Sequence, residues 1–387
     1  MKQLVYALLA VATLASCQNE LFKNDATKFE TEQGVYVPKE SSSYQLFVAD
    51  GANQEVSELK IALAKPQGGQ VSAQLRSGGQ AALDRYNKAN GTNYQLLPES
   101  MYELASNVTF ESNHTVTSIP LKIKDLQFKG DAYALPIEIV GSDSKVIDAQ
   151  KDALLVLNQI IYTKAWKSSG SQIGTQWPSG KYGAWTFEAM VRRSSYTSNN
   201  KSILGSETNG GVRDEIYTRF GDVTITPKQL QIKTGGSQID IPASKLSAKD
   251  NEWYMLSFVY DGTNTLVYVN GQEVAKTQIR DGEYEIHGIW IGGANELVRE
   301  VRVYKSARTA DQIAASTWKM VDPTDPNLLV YYPLNGKKRD FKTGKITEDE
   351  TGAWDWSKNE YHITGSNFKG SFVGDGGKLF RFPLENK

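Results

Sequence analysis

The 387-residue sequence holds a single cysteine, three histidines and five methionines. One thiol excludes an internal disulfide. The histidines, His114, His287 and His362, stand without an HExxH spacing or a second metal-binding partner, which leaves no recognisable zinc site. Net charge is −1, and lysine and arginine are dispersed among aspartate and glutamate. Without a basic stripe, nucleic acid is not an expected partner. Long apolar runs are also scarce. The one near the start, Leu4 to Ala15, falls short of the roughly 20 residues that span a bilayer, and no later segment approaches that length.

What is present at the start has the layout of an export signal. Met1-Lys2 supplies a small positive region and Leu4 to Ala15 an uncharged apolar one. Leu14-Ala15-Ser16-Cys17 then resembles the bacterial lipobox, in which cleavage leaves the cysteine first and lipids are attached to it. The resemblance makes residues 1–16 a signal peptide and Cys17 the lipidation site, and it accounts for the lone thiol. One acyl chain holds a protein to a membrane only marginally, so the several chains of this family imply stable anchoring. The expected location is the outer membrane, lipid-anchored and exposed at the cell surface. Only one acidic residue, Glu20, follows closely, which leaves the membrane face open.

Residues 17–34 are polar and aperiodic and read as a tether. Beyond them the chain is rich in Gly, Tyr, Thr and Val, with eight Trp, as suits an all-β secreted protein. Short alternating strands are bounded by Gly, Pro, Ser and Asp: Ser43 to Val48, Leu59 to Ala64, Val71 to Leu75, Val108 to Phe110, Val116 to Ile123, Tyr133 to Val140 and Leu154 to Ile161. One helix interrupts them, Gln80 to Ala89, with Leu83 and Tyr86 on one face and Asn90-Gly91 as its stop. Seven or so strands predict an immunoglobulin-like sandwich over residues 35–161. A second β-rich unit is expected over 162–387. Trp185 to Val191 alternates cleanly, whereas Trp253 to Tyr260 is apolar at both parities except Ser257 and should be buried on both faces. Asp261-Gly262 turns that strand, and Asn270-Gly271 is the strongest hairpin signal in the chain.

Two segments carry family resemblances. LDRYNKANGTNYQLLPESMYEL, Leu83 to Leu104, resembles the N-terminal domain of uncharacterised function in many Bacteroidetes surface lipoproteins, which precedes endo-β-N-acetylglucosaminidase or lectin-like domains. WYMLSFVYDGTNTLVYVNGQEV, Trp253 to Val274, resembles the central hairpin of laminin-G-like, concanavalin-like jelly rolls, and EVRVYKSARTADQI, Glu300 to Ile313, resembles their closing strand and short helix. LLVYYPLNG and DWSKNEYHITG resemble the strand and loop that usually open such a domain, yet here they follow the closing strand. Together the resemblances imply two disulfide-free β-sandwiches in a glycan-binding lipoprotein of a polysaccharide-utilisation system. Its partners would be an oligo- or polysaccharide and an outer-membrane glycan transporter.

Related jelly-roll enzymes place carboxylates on one strand as Glu-x-Asp-x-x-Glu, and retaining hydrolysis needs two carboxyl groups roughly 5 Å apart. Here Glu188 is followed by Met190 at the Asp position, Asp214 and Glu215 are adjacent, and Glu348-Asp349-Glu350 lies in a charged loop. Gly180-Lys181 lacks the rest of a phosphate loop, and no G-x-S-x-G elbow occurs. No catalytic residue is assigned. A glycosidase with an unfamiliar acid pair and an adhesin-like binder of protein remain the alternatives.

Sugar rings pack their C–H faces on aromatic rings while polar neighbours fix the hydroxyls. Loop aromatics not needed by a core are therefore the candidates. Trp177, Tyr182 and Tyr196 fall in Gly/Ser/Asn-rich segments, Trp354 and Trp356 flank Asp355, and Arg213 could add a polar contact. Trp185, Trp253 and Trp290 lie in patterned strands and are assigned to the core. No cofactor is required. Calcium is conceivable in this class, with Asp355 and Asn359 as weak candidate ligands, although loop capping suits both side chains better.

Overall fold

The computed structural model describes residues 33–90, 92–128, 132–209, 211–294 and 296–384. The signal peptide, Cys17 and nearly all of the tether lie outside them, as does Gly91. The chain divides into two compact units, Met1–Gln159 and Ile160–Lys387.

The first unit is an immunoglobulin-like sandwich. Its main sheet runs in the order Tyr44–Ala49, Asp152–Thr163, Tyr133–Ser142, Val71–Ser77, Asn107–Phe110. Three-stranded sheets around Lys60–Leu63 and Leu121–Ile123 complete it. Val71, Ala73 and Leu75 alternate into a core shared with Phe110, Leu135, Ile137, Leu155 and Leu157. The helix, Gly79–Asn90, covers the other face of the main sheet and sets Leu83 against Ala134, Leu154 and Val156. That cover explains why the strand around Leu154 is apolar at both parities: each face has something to bury against. Asn90 Nδ2 donates to the Tyr86 carbonyl at 2.9 Å, satisfying a carbonyl of the last helical turn.

The second unit is a two-sheet jelly roll. One sheet orders Gln272–Thr277, Thr265–Val269, Trp253–Tyr260, Trp185–Arg192, Leu297–Tyr304, Ala165–Lys167 and Ser371–Val373. The other orders Ile173–Tyr182, Tyr284–Ile291, Lys201–Glu207, Ile216–Phe220, Leu230–Thr234 and Ser237–Asp240. Phe187, Ala189 and Val191 meet Leu256, Phe258, Ile232 and Ile289 in the core between them. At the hairpin tip Asn270 and Gly271 both take positive φ, 51° and 83°, as a two-residue turn of right-handed strands requires. Leu328–Tyr332, displaced in chain order, pairs antiparallel with Leu297–Tyr304 and so rejoins the same sheet.

The first sheet is covered on its outer face as well. The helix Ala310–Ser316, opened by a Thr309–Gln312 capping box, and the segment after it lie over Thr186, Glu188, Ser257 and Val259. Every residue of Trp253–Tyr260 is therefore buried.

Candidate functional site

The outer face of the six-stranded sheet differs from the covered one. Tyr284, Ile286, Ile289 and Ile291 enter the core between the sheets, and Trp290 points the other way, where it is 8% exposed. Its cross-strand neighbours are Gly174 on one side and Gly205 on the other. The indole lies down across Gly205, where a Cβ would sit 2.1 Å from Trp290 Cζ2. Tyr217, on the far side of Gly205, brings its ring to 5.2 Å from the indole at 50°. A glycine between two aromatics is what permits this arrangement, since any side chain there would occupy the space of the rings.

Beside the indole is a groove of about 430 Å³ lined by Gln172, Ile173, Gly174, Thr175, Gln176, Glu207, Trp290 and Asn367. Gln176 and Glu207 both pair in register with Gly288, so they stand on either side of a glycine floor. Two strand spacings put their Cα atoms about 9.5 Å apart, room for one sugar ring with hydrogen bonds on both sides. The side chains of Gln172, Gln176, Glu207 and Asn367 make no hydrogen bond or ion pair to any described residue. Farther along the face one group of polar side chains is satisfied internally. Arg219 bonds Asp222 at 2.5 Å, Gln231 at 2.8 Å and Asn200 at 2.9 Å, and Gln231 donates to Asp240 at 2.6 Å. Unspent hydrogen-bonding capacity is thus gathered at the groove.

The residues anticipated from the sequence do not form one platform. Trp177 lies within a strand rather than a loop, is 6% exposed, and has a ring face covered by Tyr361 at 5.6 Å. Tyr196 is 3% exposed, edge-on to Phe220 at 4.9 Å. Trp356 is 4% exposed and donates from Nε1 to the Lys337 carbonyl. These three are corrected to packing residues: a ring that fills a core has no face left for a ligand. Tyr182 is half-buried against the core. Trp354 is half-buried between Lys338, 4.2 Å from its ring, and His362 at 5.0 Å. Arg213 is exposed on the turn Gly211–Arg213.

Asp355 and Asn359 are loop caps. Asp355 Oδ1 accepts from the Tyr331 and Ser357 amides, and Oδ2 from the Tyr361 amide and the Ser357 hydroxyl, all at 2.8–2.9 Å. Asn359 Nδ2 donates to the Leu329 carbonyl. With its lone pairs occupied by the loop, Asp355 is a corrected candidate for calcium, and the described residues hold no group of three or more His, Cys, Asp or Glu able to bind a metal. Complete burial raises its carboxyl to about 6 against those hydrogen bonds.

The carboxylates tested for hydrolysis are engaged elsewhere. Asp214 pairs with Arg280 at 2.6 Å. Glu188 is fully buried and bound by Ser257, Arg302 and Arg308 at 2.9–3.2 Å. Glu348 pairs with Lys337 and Glu350 with Lys164.

Residues 168–314 match the concanavalin A-like lectin/glucanase superfamily through its laminin-G branch. Residues 29–146 match a family described as an N-terminal domain. No curated protein matches the sequence. Among solved structures, a Bacteroides ovatus ATCC 8483 protein, to which carbohydrate binding is ascribed, is 24% identical with a TM-score of 0.56, covering 91% of this chain and 98% of its own. Domain 4 of AbnA, an extracellular arabinanase of Geobacillus stearothermophilus solved with arabinotriose, is 14% identical over 37% of this chain and 72% of its own, TM-score 0.30. A heptameric pentraxin of Limulus polyphemus is 12% identical over 49% of this chain and 92% of its own, TM-score 0.34.

Trp290, assigned to the core from its patterned strand, is 8% exposed, and it also lines the groove, which the sequence did not show. Its strand ends in the apolar run Gly288 to Ile291, and that pattern alone assigns it to the core. The distinguishing signal is the pair of glycines beside it in space, Gly174 and Gly205, which strand pairing alone reveals.

Proposed function

We propose that this protein captures carbohydrate in the groove beside Trp290. The observation that carries the reading is an indole laid flat over Gly205 next to four polar side chains with no protein partner among the described residues. An aromatic edge with convergent amides and one carboxylate suits a hydroxyl-rich ring. The likeness of fold to the Bacteroides ovatus protein supports it. Among the described residues the groove is lined by one carboxylate, Glu207, and a hydrolase of the usual kind needs two, which favours capture over cleavage.

The wider reading is a surface lipoprotein of a polysaccharide-utilisation system, held in the outer membrane through Cys17 and passing glycan to a transporter. Screening the purified protein against plant and host polysaccharides by affinity gel and calorimetry tests the binding. Saturable binding weakened by Trp290→Ala is the expected result, and no binding to any class overturns it. For the anchor, Cys17→Ser should move the protein from the membrane to the soluble fraction; an unchanged distribution refutes lipidation.

A further inference from the structure

We infer that the groove selects neutral glycans and rejects those carrying carboxylates, with Glu207 as the residue that enforces the choice. This rests on the carbohydrate reading above and adds the class of sugar. Among the described residues Glu207 is the only charged side chain lining the groove; its other polar members are amides and a hydroxyl, Gln172, Gln176, Asn367 and Thr175.

Among the described residues that line the groove there is no lysine or arginine. Arg219, on the same face, is committed to Asp222, Asn200 and Gln231. Lys233 is aligned with Tyr217, three strands from Trp290, about 14 Å away at the usual strand spacing and beyond the Tyr217 ring. A uronate or sialate carboxylate in the groove would lose hydration and face Glu207 without compensation. Neutral hydroxyls meet the reverse situation, because Glu207 accepts hydrogen bonds and the amides both donate and accept.

The test compares each neutral polysaccharide that binds with its own selectively C6-oxidised form, so that linkage and ring are held constant and only the carboxylate differs. At low ionic strength the oxidised form should bind about tenfold or more weakly. Glu207→Gln should close most of that gap, and 0.5 M salt should narrow it for the wild type. Equal or tighter binding of the oxidised form, or a gap that Glu207→Gln leaves intact, overturns the selection while the carbohydrate reading stands. Binding of anionic glycans alone overturns the selection only, whereas absence of binding to every glycan, neutral or charged, overturns both. Because Glu207 is only half-buried and at a strand end, the substitution should leave the fold intact, which an unchanged unfolding midpoint would verify.

Discussion

Glu188 and Arg302 are register partners on adjacent strands, both fully buried, and the guanidinium Nη1 donates to Glu188 Oε2 at 3.2 Å. On the opposite strand Ser257, the other register partner of Glu188, donates to Oε1 at 2.9 Å. Arg302 continues to Glu300 at 2.8 Å, which also accepts from Arg299 and the Tyr331 hydroxyl. Arg302 Nη2 and Arg308 further bond carbonyls of the segment that covers this face. The network ties the sheet to its cover, and it gives a mid-strand glutamate a structural task.

Glu188→Gln should therefore destabilise the second unit by about 3 kcal/mol, since removing one charge of a buried pair strands the other. The shift is measured as a lower urea midpoint for that unit. Glycan affinity at the groove on the other sheet should be unchanged. A variant as stable as wild type would show that the network contributes nothing net.

The tryptophans should separate by effect. Trp177→Ala and Trp356→Ala remove core volume and should each cost about 3–5 kcal/mol of stability. Trp290→Ala removes a ring that is 8% exposed and lines the groove, and should weaken glycan binding about tenfold or more besides costing stability. Chemical denaturation and calorimetry on all three variants make the comparison. Comparable loss of affinity in Trp177→Ala, at full folding, would relocate the site.

Gly205→Ala places a methyl where Trp290 Cζ2 and the Ile216 carbonyl already lie within 2.2 Å of it. The indole must shift. A stability loss of about 1–3 kcal/mol, changed tryptophan fluorescence and reduced binding are expected together. Unaltered fluorescence would contradict the packing described.

Asp355 supplies a pH dependence. Burial raises its folded pKa to about 6, above the 3.8 of an unperturbed carboxyl, so the native state holds the proton more tightly. The resulting stabilisation is fully present below pH 3.8 and is lost as pH rises to about 6. His362, whose Nδ1 accepts from the Asp355 amide, is lowered from 6.5, chiefly by burial, and contributes with the opposite sign: its stabilisation is present above 6.5 and lost as pH falls through its folded pKa. Carbon-detected NMR titration should find the Asp355 carboxyl near 6 and His362 below 6.5. An Asp355 value near 4 would show that its four hydrogen bonds outweigh burial.

Much of the architecture was legible because strand periodicity and turn chemistry are local. The double-parity strand Trp253–Tyr260 announced two covered faces, and Asn270-Gly271 announced its hairpin. Thr186, Glu188 and Met190 gave no such warning. They alternate with Phe187 and Ala189, and only distant segments bury them: the returning helix covers Thr186 and Glu188, while Trp318, Phe380 and Phe382 cover Met190. Trp177 misled for a related reason: Gly/Ser-rich surroundings marked a loop, while the chain continues as a bulged edge strand.

By itself the sequence determined the all-β class, the two sandwiches and the positions of most strands, because hydrophobic alternation and left-handed turn residues act over a few neighbours. The tertiary structure decided which aromatic ring borders the groove. That depends on cross-strand partners far apart in the chain: Gly205 lets the indole of Trp290 lie down, and Tyr361 covers Trp177. Accessibility is a property of the packed neighbours, and no local pattern contains them.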